Sequence, residues 1–459
     1  MRLINAIKNA AIAILLVSAL FLTSEIWFGY IDSGFFGVLA RGRVQMVGGE
    51  FRHYFALPMR TVTGDGSGRF HIVYGGMDTN SRVINLSNEI IARALSGNYV
   101  QTTQPPVVGE LLVGDIIIYE YAFDMPVDIF MDALDLRGVA LSGQIERFSR
   151  IIFSPHSDRS GVNVFFHNQV ADAWVGFFVD DMRLSNELGL VVRTESRSPY
   201  ALVDFASSYL LGIDNNSGNN LFIPVWGDAG HRYFVGVATP AHFDITDGAV
   251  MNVIRANVMS FFDNPAVVYD VPTAGGFAWA DENTIVRHFR TNVIQYISYR
   301  RDLRGSELLD DFASAISFVN RRDMFLDTEF YLSGFREHGN ERVFYFEYTL
   351  EGLPVILSDD LRNLMSDHTQ SALSIRFRDG NLVSYTRLAY TFTMSDAIVD
   401  VAGRDLPMYI LYSGLDLDSL KGVTLAFVSP RLDSLGAGDM SLWVNFRMQD
   451  GMSAMESLR

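Results

Sequence analysis

The stretch ERVFYFEYTLEGLPVIL, residues 341–357, predicts a β-strand with one buried face. Side chains alternate between the two faces of an extended chain. One face of this stretch is aromatic, with Phe344, Phe346 and Tyr348, and the other face is mixed. Downstream, RDGN at 378–381 separates two more strand-like runs, and its Asp-Gly pair is typical of a tight hairpin turn. These residues therefore predict an antiparallel sheet.

The segment before this sheet predicts a helix. In SELLDDFASAISFVNRRD, residues 306–323, five apolar residues recur at the spacing of one helix face. They are Leu308, Phe312, Ala315, Ile316 and Val319. We expect this face to lie in the core, and a helix followed by antiparallel strands predicts an α+β fold.

Helical and strand-like segments follow one another along the whole chain, which predicts several antiparallel-sheet-plus-helix domains. We predict an N-terminal α+β domain over 31–197, a central β-rich domain over 198–304 and a C-terminal α+β domain over 305–459.

Several local predictions depend on short apolar runs. GDGSGRF at 64–70 predicts a turn or loop, and residues 266–302 predict two or three antiparallel strands. LGLVVRTES at 188–196 predicts a strand, whereas MSDAIVDVAG at 394–403 predicts a helix.

Composition excludes some classes of function. The net charge is -17 over 459 residues, whereas a nucleic-acid partner needs a basic patch, so we predict no nucleic-acid binding. Cysteine is absent, which removes thiol catalysis, thiolate metal sites and disulfides. Hydrophobic residues make up 49% of the chain, enough for large cores.

The stretch AIAILLVSALFLTSEIWFGY, residues 11–30, predicts a membrane anchor. The apolar run is long enough to cross a bilayer when it extends to Phe28. Arg2 and Lys8 precede it, and basic residues favour the cytoplasmic side. We therefore predict a single-pass protein of the cell membrane, with residues 1–30 as cytoplasmic tip and anchor and the bulk of the chain extracytoplasmic. The alternative is a cleaved signal peptide, although bulky residues follow the run where a small-residue cleavage site belongs.

One side of this predicted transmembrane helix is a candidate contact surface. Ala11, Ser18 and Glu25 are spaced by seven residues, and Leu15 and Leu22 fall on the same stripe. Small residues let membrane helices approach closely, and polar residues can hydrogen-bond between them. The alternative is that Glu25 lies in interfacial water and the spacing has no function.

No sequence motif predicts catalysis, a cofactor or a metal site. The zinc-protease pattern H-E-x-x-H and the hydrolase pattern G-x-S-x-G do not occur. DNNSGNN at 214–220 resembles a calcium loop, but Gly218 stands where an oxygen ligand belongs. We therefore predict a chain that is not an enzyme and has no small-molecule substrate.

Three pairs of adjacent carboxylates raise the question of glycoside hydrolysis. They are Asp180/Asp181, Asp310/Asp311 and Asp359/Asp360. A glycosidase needs two carboxylates that face each other across the sugar, which adjacent residues do not provide. Solvated turns or helix N-termini are the better interpretation of these pairs, because carboxylates suit both.

The order of features resembles the YycH family of membrane-anchored regulators. The similarity is carried by LTSEIW (22–27) at the end of the single span, by ADENTIVRHFRTNVIQYISYRRD (280–302) before the predicted helix, and by KGVTLAFVSPR (421–431) with LWVNFRMQDG (442–451). The C-terminal block is also similar to YycI and to small modules of PepSY type. That second similarity is carried by YFEYTLEGLPVIL (345–357) and IRFRDGNLVSYTR (375–387).

The resemblance implies a function and a set of partners. Members of this family regulate the sensor histidine kinase YycG of the YycFG (WalRK) two-component system, and thereby cell-wall metabolism. They act through the transmembrane helix together with a YycI-like partner, in contact with membrane lipid. For this chain it implies that Ala11, Leu15, Ser18, Leu22 and Glu25 contact the kinase. The alternative is an anchored extracytoplasmic binding or inhibitor module of PepSY type.

Overall fold

The computed structural model contains two β-sheets with associated helices. It describes residues 48–75, 82–95, 99–102, 106, 108–136, 145–168, 171, 173–194, 204–207, 222–225, 231–240, 248–271, 273, 275–300, 307–322, 329–363, 365, 371–401, 420–429, 438–448 and 453–457. The predicted α+β class with antiparallel sheets is confirmed.

The described strands of the N-terminal half form one nine-stranded antiparallel sheet, here called the first sheet. Its strands are β1 (Arg60–Asp65), β2 (Phe70–Tyr74), β3 (Tyr99–Thr102), β4 (Asp115–Pro126), β5 (Arg147–Pro155), β6 (Val162–Asn168), β7 (Ala173–Val179), β8 (Asp204–Ser207) and β9 (Phe222–Val225). The strand order is β3-β7-β6-β5-β4-β1-β2-β8-β9, so β4 and β1 lie in the middle.

The second sheet contains fourteen described strands. They are β10 (His231–Pro240), β11 (Tyr269–Val271), β12 (Gly276–Ala280), β13 (Thr284–Phe289), β14 (Val293–Ser298), β15 (Phe330–His338), β16 (Glu341–Leu350), β17 (Leu353–Ile356), β18 (Leu373–Arg378), β19 (Asn381–Leu388), β20 (Tyr390–Val401), β21 (Leu420–Val428), β22 (Gly438–Met448) and β23 (Ser453–Ser457). The order along the main path is β11-β12-β13-β14-β19-β18-β16-β17-β21-β22-β10-β20, with β15 on β16 and β23 on β22.

The described helices comprise seven α-helices and two 3-10 helices. The α-helices are α1 (Arg82–Leu95), α2 (Val108–Leu111), α3 (Val127–Ala133), α4 (Met182–Thr194), α5 (Gly248–Met259), α6 (Leu308–Arg322) and α7 (Asp359–Arg362). The 3-10 helices are η1 (Gly48–Ala56) and η2 (Pro265–Val267).

Contacts from the middle of each sheet show which helices cover it. On the first sheet, the Tyr119 hydroxyl donates to the carbonyl of Val83 in α1, at 3.4 Å. Arg193 of α4 pairs with Asp115 on the same face, at 3.0 Å. On the second sheet, the ring of Phe318 in α6 lies 5.5 Å from that of Tyr385 in β19.

The elements predicted around residues 306–381 are confirmed. All five predicted core residues of α6 are buried, as are Phe344, Phe346 and Tyr348 on β16. The β18–β19 turn has Asp379 at φ 50° and Gly380 at φ 76°, which is the left-handed pair of a tight hairpin. The GDGSGRF turn is likewise confirmed between β1 and β2.

The strand predicted for 188–196 is wrong, because its described residues lie in the second half of α4. Leu184, Leu188, Val191 and Val192 are buried at helical spacing, and the preceding turn completes the pattern. The Asp181 carboxylate caps the helix by accepting from the backbone N–H groups of residues 183 and 184, at 2.9 and 3.2 Å.

Two further local predictions are wrong. The predicted helix 394–403 lies, through residue 401, in β20, whose partner β10 pairs Tyr233 with Val399 and Phe234 with Ile398. Pairing with a distant strand overrides local propensity here.

The described part of residues 266–302 contains four strands, β11 to β14, where two or three were predicted. The additional strand is β11, which has three residues.

Some predictions lie outside the described residues. These are the anchor at 1–30, its stripe Ala11, Leu15, Ser18, Leu22 and Glu25, and the loop 214–220. Among the residues that are described, no helix has the length and apolar character needed to cross a membrane. The boundaries placed at 197/198 and 304/305 stay predictions.

The hairpin between β5 and β6 offers a test of the first sheet. A Cβ added at Gly161 would collide with the carbonyl oxygen of Val179 in β7. We expect Gly161→Ala to lower the free energy of unfolding by about 1–3 kcal/mol, as overpacking does, measured by urea denaturation. Gly114→Ala is the matched control, because a Cβ there lies 3.8 Å from the carbonyl oxygen of Leu111. An equal effect of both substitutions would contradict this packing.

Candidate functional site

The helix η1 lies where the two sheets meet, and Phe55 is its central contact. The Phe55 side chain is 1% exposed. Its ring lies 5.6 Å from that of Phe123 in β4 and 5.1 Å from that of Phe312 in α6. The ring of Phe335 in β15 is 6.2 Å away. One aromatic side chain therefore joins elements of both sheets.

Arg52 lies one turn before Phe55 in η1 and forms ion pairs with two different helices. Its guanidinium lies 3.9 Å from the carboxylate of Asp132 in α3 and donates to the carboxylate of Asp310 in α6. The hydrogen bond to Asp310 is the main reason that the pKa of Arg52 is raised. All three side chains are about one-third to one-half exposed, so solvent screens these pairs.

Beside these pairs lies a cleft of about 1210 Å³. One wall comes from α1 and the end of α3, including Asn88, Leu134 and Asp135, and the other comes from α6. The residues of α6 that line it include Asp310, Ser314, Ser317, Phe318 and Arg321. They stand at positions i, i+4, i+7, i+8 and i+11 of the helix, so they form one stripe.

Carboxylates and guanidinium groups both line the cleft, and Arg52 lies at the same end as Asp132 and Asp310. Asp132 and Asp310 stand beside η1, whereas Arg321 stands in the last turn of α6. Arg321 follows Asp310 by eleven positions in α6, which corresponds to a rise of about 16 Å at 1.5 Å per residue. The α6 wall of the cleft carries polar and apolar side chains over this length. The Asp310 carboxylate in this cleft forms an ion pair with Arg52, so the walls have no free acid–base pair at this position.

A second contact between the sheets involves main-chain atoms. The N–H of Tyr74 in β2 donates to the carbonyl of Gly352 at 2.7 Å. Gly352 has φ 76° and Glu351 has φ 49°, which makes a tight turn between β16 and β17. A Cβ on Gly352 would lie 3.1 Å from Val73. Partial burial, with a smaller contribution from Glu329, raises the pKa of Glu351 at this turn.

A buried charge network crosses the first sheet. Arg60, Glu120 and Arg150 lie opposite one another on β1, β4 and β5, and each is less than 10% exposed. The Arg150 guanidinium donates to the Glu120 carboxylate at 2.7 Å, and Arg60 donates to the other oxygen. Arg60 also donates to the Tyr74 hydroxyl at 3.1 Å. Burial alone would raise the pKa of Glu120, but the two guanidinium charges outweigh it and lower the pKa to about 2.

The network is part of a row across six strands. In register order the row is Tyr74, Arg60, Glu120, Arg150, His167 and Trp174. The rings of His167 and Trp174 stack at 3.8 Å with an angle of 13°. The row starts at Tyr74, which also contacts Gly352, so the network reaches the junction between the sheets. Its buried and satisfied charges indicate a structural role.

The three acidic pairs were predicted to lie in solvated turns or at helix N-termini. All three lie at helix N-termini, so this prediction is confirmed. Asp181 caps α4 and pairs with Arg93 at 2.6 Å. Asp311 pairs with Arg342 at 2.8 Å, and Asp310 pairs with Arg52. Asp359 begins α7. No group of three His, Asp or Glu side chains in the described part of the chain is arranged to hold a metal ion.

Sequence reasoning missed η1 and the buried network. Phe51, Tyr54 and Phe55 have the spacing i, i+3, i+4 of a helix face, which was the available indication for η1. Glu120 and Arg150 stand inside otherwise apolar runs, IIIYEYAF and RFSRIIF, which was the indication for buried charges. Strand register determines which charged residues face each other. Register depends on residues that are far apart in the sequence.

Comparison with known proteins finds similarity in structure. No protein-family model and no curated protein sequence matches the chain. The crystal structure of YycH from Bacillus subtilis superposes with a TM-score of 0.52 over 88% of this chain and 95% of that chain, at 12% sequence identity. An uncharacterized protein from Eubacterium rectale gives a TM-score of 0.30 over 52% of this chain and 86% of that chain, at 10% identity, and carries no argument. The chain therefore has the fold of YycH, and the resemblance seen in the sequence is confirmed at the level of the fold.

The buried network predicts both a large mutational effect and a pH dependence. Glu120→Gln leaves two buried guanidinium groups without a counter-charge, so we expect a loss of about 3–5 kcal/mol in the free energy of unfolding at neutral pH. Because the folded pKa of Glu120 is lowered from 4.5 to about 2, its contribution is complete above 4.5 and is lost as the pH falls through that interval. Urea denaturation of both proteins over this range measures both effects.

Glu187→Gln is the control for this experiment. Glu187 pairs with Arg183 on the exposed side of α4, at 2.9 Å. We expect a change within about 0.5 kcal/mol. A Glu120→Gln variant as stable as this control, with an unaltered acid response, would show that the network does not stabilise the fold.

Proposed function

We propose that this chain is a non-enzymatic regulator of a membrane sensor histidine kinase of the YycG type. The observation that carries the proposal is the YycH fold, which extends over 88% of this chain. The order of sequence segments that resembles this family supports it independently. Through the kinase, the chain controls cell-wall metabolism.

The N-terminal sequence supports a location in the cell membrane. Residues 11–30 form an apolar run preceded by Arg2 and Lys8. With the basic side in the cytoplasm, the chain crosses once and its two sheets lie outside. The net charge of -17 fits solvated domains beside an anionic lipid surface, which repels them.

The transmembrane helix is the proposed contact with the kinase. The stripe of Ala11, Leu15, Ser18, Leu22 and Glu25 offers small and polar side chains to a neighbouring helix. A YycI-like protein contributes a second helix. To regulate the kinase, this helix must bind one of its conformations more tightly than another.

The use of the carboxylates supports a role without catalysis. Asp181, Asp310 and Asp311 each pair with an arginine at the start of a helix. Carboxylates engaged in this way stabilise the fold and are not poised as a general acid and a base facing across a sugar.

A second candidate function is an anchored binding or inhibitor module of PepSY type. The observation that favours it is the cleft of about 1210 Å³ between the sheets, which is large enough for a ligand or peptide. In that case the activity belongs to the extracytoplasmic part and is independent of the anchor sequence.

Replacement of the membrane segment distinguishes the two functions. We expect that exchange of residues 10–28 for an unrelated single-span anchor abolishes co-purification with the kinase and changes the output of its regulon. The exchange removes the helix surface but leaves the outer domains folded and exported, which protease accessibility on intact cells verifies. Retention of both activities would refute the helix mechanism and favour the binding module.

A finer variant tests the stripe within the native anchor. Ser18→Ala together with Glu25→Gln should reduce co-purification and alter kinase output, whereas Thr23→Ala, which lies off the stripe, should leave both unchanged. Equal behaviour of the two variants would place the contact elsewhere on the helix.

A further inference from the structure

We propose that η1 is a clamp that holds the two sheets in one arrangement, and that its release lets them turn about the contact between Tyr74 and Gly352. The movement is a property of the fold. Its use in signalling rests on the proposed function.

Phe55 of η1 packs between the two sheets, beside a direct contact of β4 with β15. Phe55 packs on Phe123 of the first sheet and on Phe312 and Phe335 from the side of the second. Tyr121 of the first sheet secures η1 by donating from its hydroxyl to the carbonyl of Ala56, at 2.8 Å. A single short helix thus contacts both sheets at once.

The other junction between the sheets lies at the turn between β16 and β17. Its central contact is the main-chain hydrogen bond of 2.7 Å from Tyr74 to Gly352. The rings of Tyr74 and Tyr331 lie 6.1 Å apart beside it. The edge strand β9 of the first sheet also lies beside β21. A main-chain hydrogen bond at a glycine turn can be kept while the two sheets rotate about it.

Open space lies next to the clamp. The cleft of about 1210 Å³ separates the α1 and α3 wall from α6, and Arg52 and His53 of η1 stand at its border. The ion pairs of Arg52 across this border are half-exposed, and such pairs are weak. The walls can therefore move relative to each other once η1 shifts.

Along the chain, η1 is followed directly by a strand of the first sheet. Arg60 begins β1 only four residues after Ala56, and it belongs to the buried network of the first sheet. The residues before η1 lead back to the predicted anchor. Along the sequence, η1 therefore lies between the predicted anchor and the first sheet.

The absence of cysteine makes the test direct, because two introduced cysteines are the only labelling sites. Leu190→Cys on α4 and Val253→Cys on α5 place nitroxides on exposed positions of the two sheets. Double electron–electron resonance on the full chain in mild detergent then measures the distance between the labels. We expect Arg52→Ala and Phe55→Ala to shift or broaden the distance distribution by several ångströms.

Controls separate clamp release from general disturbance. Arg183→Ala breaks one ion pair between α1 and α4 and one within α4, both on the first sheet, and we expect it to leave the distribution unchanged. Arg52→Lys keeps the positive charge and should behave as the unaltered chain. Labels at Val113→Cys and Met182→Cys, both on the first-sheet side, should report one distance in every variant.

An unchanged distribution in folded Arg52→Ala and Phe55→Ala overturns the clamp. If Phe55→Ala does not fold, Arg52→Ala and Asp310→Asn decide, because both alter half-exposed side chains. The measurement needs no kinase, so its result is independent of the proposed function. A shifted distribution in a variant with unaltered kinase output would support the clamp and contradict its use in signalling.

Discussion

The burial of Phe55 is the interaction on which the arrangement of the two sheets depends. Its ring fills a space bounded by Phe123, Phe312 and Phe335, and an aromatic side chain buries about 150–250 Å². Without it, both sheets would expose apolar surface at the same place. The ion pairs of Arg52 then orient η1 more than they stabilise it, because screened pairs contribute little. Burial of Phe55 stabilises the contact between the sheets, and the ion pairs of Arg52 orient η1.

The buried network imposes a second constraint, on strand register. A carboxylate between two guanidinium groups is seldom more stabilising than apolar residues of the same volume. Its value lies in the register, since a slip of one residue would move Arg60, Glu120 or Arg150 to the opposite face of the sheet and leave its partners buried without a counter-charge. The network therefore aligns β1, β4 and β5. β1 begins four residues after η1. The aligned strands therefore also restrict the position of η1 relative to the first sheet.

What the sequence could predict follows from the range of each interaction. The apolar stripe of α6 and the alternation of β16 are visible within one short window, and both were predicted. The second half of α4 was misread because the run from residue 188 begins in the middle of the helix and is rich in valine. The segment in β20 was misread because its partner β10 lies far earlier in the chain. Arg52 and Asp310 are 258 residues apart, so no local pattern reveals the clamp or the cleft beside it.

The chain shares the fold of YycH at 12% sequence identity. A shared fold by itself does not determine function, which has to be argued from sites. Asp181, Asp310 and Asp311 pair with arginines, and the cleft lies between helices that cover the two sheets. A regulator needs two conformations that differ in affinity for a partner. The two sheets are joined at η1, at the Tyr74–Gly352 contact, and by direct contacts of β4 with β15 and of β9 with β21. In the proposed mechanism η1 selects their arrangement, and η1 is the first described element after the predicted anchor.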